Sequence, residues 1–338
     1  MSGKPGASPL PADELHERKE DLELPGRFGE YLRFAQGPLL KAFRDADQDA
    51  LQAQKTHRTV TIGAALLGTL AIFASVLTRL FPTTLFLWFE LGFAVLSALA
   101  VLVGIIAGWQ KRWLLSRYKA EQLRLLKFDF LTEPALWTKP DEVWQRELED
   151  RILQIEAIED GDLEHQAKTE NVAKAPLADL QSVSAREREE VWRYYVQRRL
   201  EFQIHYFSRI AGSEPQGFLG NSRIGPALFF VTVTLLAYHL GLEIKLGDNA
   251  GPPVFLILSL LVPALWSGVR TFRSANQFGR NRARSAAKAS ALRQVAKRME
   301  VAPPPLDTVF QNIAVAESVL ASDQGEWLRL MNEAEWYG

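Results

Sequence analysis

Hydrophobic positions in this chain fall into four long runs: Thr59–Leu77, Leu85–Trp109, Ile224–Leu242 and Gly251–Val269. Each run has roughly the 20 residues that a helix needs to cross a hydrocarbon core of about 30 Å. A short polar loop joins the first to the second and the third to the fourth, so the pattern predicts two transmembrane hairpins. Core helices of soluble proteins are usually shorter and amphipathic. The fourth run contains Pro252, Pro253 and Pro263. Such kinks are tolerated in a bilayer where neighbouring helices satisfy the freed backbone.

The polar remainder also reads as helix. Met1–Gly29 is rich in Pro and Gly and predicts a disordered tail. Tyr31–Arg58 predicts a helix feeding into the first run, and Trp109–Phe130 one that continues the second. Pro134 and Pro140 break the chain. Asp141–Asp160 then places Trp144, Leu148, Ile152, Ile155 and Ile158 on one face, in steps of three and four. Gly161–Ser182 reads as a linker. Ala185–Ala211 predicts a helix opened by a Ser184–Glu187 capping box, with a stripe at Trp192, Tyr195, Phe202 and Tyr206. Ser274–Glu300 and Asp307–Trp336 predict two more helices, separated by Pro303–Pro305; the last has Val309, Ile313, Ala316, Leu320, Trp327 and Leu330 on its apolar face. No β pattern stands out. The expected fold is all-α: an integral membrane protein with four transmembrane helices in two hairpins and a helical cytoplasmic region. Its expected divisions are 1–29, 30–133, 134–184, 185–300 and 301–338.

Charge sets the expected orientation. Lys41, Arg44, Lys55 and Arg58 precede the first run, and Lys111, Arg112, Arg117, Lys119 and Arg124 follow the second. The loop between those runs has only Arg79. After the fourth run come Arg270, Arg273, Arg280, Arg282, Arg284 and Lys288, whereas the loop before it has only Lys245, balanced by Glu243 and Asp248. Positively charged flanks stay inside. Both termini and the central region are therefore expected in the cytoplasm of a multi-pass inner-membrane protein. The formal net charge of −1 over 338 residues hides this contrast. There is no cysteine, which excludes disulfides, thiolate metal sites and cysteine nucleophiles. No signal peptide is visible, so the first run is expected to act as its own insertion signal.

Catalytic and ligand motifs fail when tested. Asp45, Asp47 and Asp49 have the spacing that opens a calcium loop, but Ala50 and Thr56 stand where that loop needs Gly and an acid. The five histidines form no ligand pair, and Gly217, Gly220 and Gly225 lack a dinucleotide-binding spacing. The chain is not expected to be an enzyme or to hold a cofactor or metal. In the second run, Ala100, Gly104 and Gly108 recur every four residues, and Gly63 and Gly68 sit in the first. Small residues at such spacing suit close helix approach. Glu90 and His239 lie inside the second and third runs. They either serve a pore or gate, or are solvated at the outer boundary.

Dispersed motifs then acquire a common meaning. They are Asp47-x2-Ala50 with Gln54 and His57; Trp113-x3-Arg117-x2-Ala120-Glu121-x-Leu123-Arg124; and Tyr195-x2-Arg198-x4-Gln203-Ile204-x-Tyr206-Phe207. Leu261-Val262-Pro263-Ala264 and Glu317-x9-Trp327 complete the set. Together, over most of residues 31–330, they resemble the SLATT domain family, the SMODS and SLOG-associating two-transmembrane effectors of prokaryotes. The resemblance implies an inner-membrane effector of a conflict or antiphage system, acting by pore formation or membrane perturbation on a nucleotide signal. No nucleotide-sensing domain is attached, so the sensor would be a separate polypeptide or the helical base itself. Read from the residues alone, Arg117 and Glu121 pair on one helix face, and Tyr195, Arg198, Gln203 and Tyr206 pack the cytoplasmic helices into a stalk.

The first expectation is a homo-oligomeric, pore-forming or membrane-perturbing effector whose partners are the lipid bilayer, its own copies and a nucleotide messenger or sensor protein, with no nucleic acid bound. The rivals are a housekeeping ion channel or transporter, for which the runs offer few mid-membrane polar residues, and a membrane scaffold that recruits soluble partners.

Overall fold

The computed structural model describes residues 15–81, 83–159, 161, 183–212, 224–246, 258, 261–262, 278–300 and 308–333. The chain is all-helical, and no strand occurs among these residues. In chain order the helices are α1 (Lys19–Leu22), α2 (Gly26–Ala35), α3 (Pro38–Leu80), α4 (Thr84–Ile106), α5 (Trp109–Asp129), α6 (Pro134–Thr138), α7 (Asp141–Glu156), α8 (Ala185–Tyr195), α9 (Glu201–Gly212), α10 (Ile224–Leu246), α11 (Phe278–Glu300) and α12 (Val309–Glu333). A 3₁₀ turn, Phe130–Thr132, follows α5, and a π turn, Val196–Leu200, joins α8 to α9.

Contacts divide the chain into two compact units. One gathers Met1–Gln52, Lys111–Ala211 and Ala283–Gly338; the other gathers Ala53–Gln110 and Gly212–Arg282. The first unit therefore collects three stretches far apart in sequence, which a division into consecutive segments cannot express.

The first unit is built around one apolar core. In α7, Trp144, Leu148 and Ile152 are buried, as their four-residue spacing requires. In α12, Val309, Ile313, Ala316 and Leu320 do the same. Tyr31 and Phe130 stack with ring centroids 5.7 Å apart, and Phe34 meets Trp144 edge-on at 5.5 Å. The Ser184 hydroxyl caps α8 by accepting from the Glu187 amide at 3.2 Å. The Glu187 carboxylate also accepts from the Arg27 amide, 3.1 Å away, which ties the start of α2 to α8.

The expected disordered tail is corrected from Leu15 onward. Residues 15–29 enclose α1 and the start of α2, and they supply buried Leu15 and Phe28 to the core. The chain turns into α2 at Gly26, whose φ of 76° favours glycine. The expected continuous helix from the second run through Phe130 is interrupted. Gly108, at φ 62°, ends α4 in the left-handed conformation before α5 begins.

In the second unit, two helices are long and apolar enough to cross a membrane. At 23 residues, α4 spans about 34 Å. Only 6% of its apolar window is buried, and 17% of that in α3, whereas the core helix of a soluble protein is mostly covered. Leu85, Trp88, Leu91, Leu99 and Ile106 are exposed. Within this unit the Ser97 hydroxyl of α4 donates to the Ala64 carbonyl of α3 at 2.9 Å. Helix α10 covers the third predicted run, and its apolar section Ala227–Tyr238 is shorter. The fourth run lies outside the described residues except for Leu258, Leu261 and Val262, as do the linker Gly161–Ser182 apart from Gly161 and the first 14 residues of the tail.

Gly29 gives a test of the entry into the core. A β-carbon there would lie 1.8 Å from the Leu24 carbonyl oxygen, a backbone atom with little freedom to yield. Gly29→Ala is expected to cost about 1–3 kcal/mol, the usual range for overpacking, read as a lower thermal midpoint of the detergent-solubilised chain.

Candidate functional site: a buried charge network in the helical unit

Of the motif residues singled out in the sequence, Asp47, Arg117, Glu121 and Arg124 meet in one charge network in the first unit. In α5, Arg117 binds Asp47 of α3 at 3.2 Å and pairs with Glu121 one turn on. Arg124 closes on the other side of Glu121 at 2.9 Å. Burial alone would raise the Glu121 carboxyl, but the guanidinium groups of Arg124, Arg117 and Arg199 outweigh it and hold its pKa below the ordinary value. Trp113 is half-buried on the same helix.

The π turn organises the next layer. A π turn holds one more residue than an α turn, so it rotates the helix face that follows. Before it, Val191, Tyr194 and Tyr195 are buried; within it, Arg199 and Leu200 are buried; after it, Gln203 is buried, with Ile204 and Phe207 partly so. The predicted stripe through Phe202 and Tyr206 is therefore displaced by one residue. Tyr206 is half-buried and meets the Phe207 ring edge-on at 5.3 Å.

The turn itself holds Arg199, which the sequence reading missed, in the core, four residues after buried Tyr195. Its side chain is 2% exposed and that of Glu317 is 1%. Arg199 Nε donates to Glu317 Oε1 at 3.0 Å and Nη2 to Oε2 at 2.9 Å, a bidentate pair. The Tyr195 hydroxyl also donates to Glu317 Oε1, at 2.8 Å. The guanidinium lies 4.6 Å from the Phe128 ring centroid. Glu317 stood in a motif of the sequence reading, but nothing there gave it a partner. Arg198, which the sequence reading did single out, instead binds Asp21 with Nε at 3.0 Å.

A second buried pair lies in the same core. Lys127 Nζ is 2.5 Å from Glu17 Oε1, with side chains 2% and 1% exposed. The Tyr194 hydroxyl donates to Glu17 at 2.6 Å, and the Tyr31 hydroxyl donates to the Lys127 carbonyl at 2.6 Å. Burial first, and the Glu17 charge second, push both tyrosine hydroxyls well above their ordinary pKa, so they remain donors. Tyr195 is raised in the same way, by burial and then by Glu317.

The remaining predicted positions belong to the second unit. Gly63 and Ala100 line an apolar groove of ≈ 390 Å³. A β-carbon at Gly63 would meet open space, so this glycine is not at a close crossing; at Gly68 one would lie 3.4 Å from Ser97 Oγ, an ordinary contact. Gly104 is buried. Gly108 terminates α4 and a β-carbon there would meet nothing, so it leaves the expected small-residue face. Glu90 is half-buried in α4. His239 is in α10, and its side chain lies outside the described residues, as does that of Trp327 in α12. Lys288, counted among the topology-setting charges, is buried with Nζ 5.4 Å from the Phe207 ring. Among the described residues there is no cluster of three metal-ligating side chains.

The arrangement is chemically suited to holding helices in one register. Removing one partner of a buried ion pair leaves a desolvated charge, which costs about 3–5 kcal/mol. Glu317→Gln is expected to lose that much stability in denaturant unfolding, and the double variant Arg199→Met/Glu317→Leu to recover most of it. Glu121 predicts a pH dependence. Its folded-state pKa is depressed, so its contribution is complete above the ordinary carboxylate value of about 4.3. The contribution is lost as pH falls through the lower folded value. The gap in thermal midpoint between wild type and Glu121→Gln should therefore shrink below about pH 4.

No protein-family model, no curated protein and no solved structure matches this chain.

Proposed function

We propose that this chain is an oligomeric membrane effector of the SLATT type, with four spans in two hairpins, both termini cytoplasmic in an inner membrane, and a helical unit that triggers a membrane lesion in a prokaryotic conflict system. The observation that carries the reading is the contrast between the two units. One exposes α3 and α4 surfaces that water would disfavour, with Trp88 67% and Ile106 76% exposed. The other contains buried ion pairs that tie together all three of its sequence stretches.

The orientation follows from the lysine and arginine asymmetry of the flanks. Oligomerisation follows from span number, because four helices enclose a poor channel and closed rings of copies are the usual solution. The trigger acts on the cytoplasmic helices, through a nucleotide messenger or a separately encoded sensor as the resemblance implies. Helix α3 runs without a break from Pro38 to Leu80, so displacement of its charged end is carried into the first span.

Purified chain in liposomes of anionic lipid tests this. With candidate nucleotides added, dye release or single-channel current is expected, together with growth arrest when the chain is overproduced. Intact liposomes under every nucleotide and unaffected growth would end the effector reading.

A further inference from the structure

The segment from Leu15 to Leu24 is attached to the core chiefly through polar contacts. Its one fully buried apolar side chain is Leu15, while Leu22 and Leu24 are partly buried. Polar contacts do the rest. Glu17 binds Lys127 and Tyr194, Asp21 binds Arg198, and the carbonyls of Leu15, Leu22 and Leu24 accept from Gln36 and Arg33. Its only helix, α1, has four residues. Segments with little apolar burial and many polar ties open locally at lower free energy than packed helices.

The seat of Glu17 is not arranged for stability. Its Oε2 is buried without a hydrogen-bond partner. A buried carboxylate–ammonium pair spends much of its attraction on desolvation, and apolar side chains of similar volume would hold the segment as well or better. The best-attested use of such a pair is to specify or switch a contact. What the segment covers is built for an acid. Lys127 Nζ lies 5.3 Å from the Phe128 ring centroid and 5.7 Å from that of Tyr194, and Arg198 stands on the π turn. The occupant therefore has a readable chemistry: an apolar residue, an acid two positions on, and a second acid four positions beyond that.

We propose that Leu15–Leu24 is an exchangeable strap, and that the cleft it fills in cis is a docking site for an acidic partner segment of the same pattern, apolar-x-acid-x3-acid. A partner that takes the cleft replaces Glu17 at Lys127 and Asp21 at Arg198. Arg198 belongs to the turn whose extra residue sets the face of α9, so exchange reaches the helix that precedes the third predicted span.

The test uses the full chain in detergent and a fluorescent peptide of Leu15–Pro25. In wild type the strap competes in cis, which lowers the apparent affinity for the peptide by the fraction of time the cleft is open. In Glu17→Gln/Asp21→Asn that competition is relieved, and binding should tighten by at least about ten-fold. The same two changes placed in the peptide should abolish binding. Hydrogen exchange of wild type should show residues 15–24 opening faster than α5 and α7. Equal peptide affinity for both chains, or binding to neither while the variant keeps its helical circular dichroism, would overturn the proposal. Should the variant fail to fold, wild-type exchange decides alone: strap amides that open only with α5 and α7 would overturn it, and earlier opening would support it.

Discussion

A guanidinium or ammonium group taken out of water must keep a counter-charge, and Arg199 and Lys127 both sit in one apolar core. Arg199 and Lys127 are each 2% exposed, and each is met by a carboxylate that is 1% exposed. The two acids come from opposite ends of the described chain, Glu317 on α12 and Glu17 ahead of α1. The three sequence stretches of the first unit are thereby tied together. Apolar contacts such as those of Trp144 and Phe310 supply bulk cohesion. They tolerate sliding in a way that a bidentate ion pair does not. Tyr195, four residues before Arg199, reaches the same carboxylate, so one face of this helix presents both donors to Glu317.

The second unit obeys the opposite rule. Its long helices present leucine, phenylalanine and valine outward, and the hairpin of α3 and α4 is joined by small residues and the bond from Ser97 to Ala64. Small side chains and occasional hydroxyls are what helix association requires where the surrounding solvent is itself apolar. The proposed membrane role rests on this contrast between one unit with a covered core and another whose two long helices are apolar and little buried.

Much of this was legible before the structure. The stripes of α7 and α12 obey a 3.6-residue period: Trp144, Leu148 and Ile152, and Val309, Ile313, Ala316 and Leu320, are in the core, whereas Ile155 is partly buried, Ile158 lies beyond α7, and the side chains of Trp327 and Leu330 lie outside the described residues. The Ser184 cap was readable because its chemistry is local. Arg199 was not, because a charged residue beside an apolar stripe reads as solvated until its counter-charge is known, and Glu317 lies 118 positions away. The strap was hidden for another reason: a segment held by Glu17 and Asp21 has no apolar period to detect, and its composition looks like a tail. Gly108 reads equally as a small residue on a face or as a left-handed helix end, and only its φ of 62° separates the two. In the candidate network, the local pair of Arg117 and Glu121 was legible, but Asp47 lies 70 positions from Arg117 and Asp21 lies 177 from Arg198, and these come together only on folding.

The central claim, that the apolar helices cross a bilayer and leave the charged unit on the inner side, is open to one direct measurement. The chain has no cysteine, so single cysteines can be introduced into an unmodified background. In intact cells treated with a membrane-impermeant maleimide, a cysteine at Thr83, between α3 and α4, should be labelled. One at Asp150 in α7 or Ser322 in α12 should be labelled only after the cells are opened. Labelling of all three positions in intact cells, or protection of Thr83 with labelling of Asp150, would contradict the account.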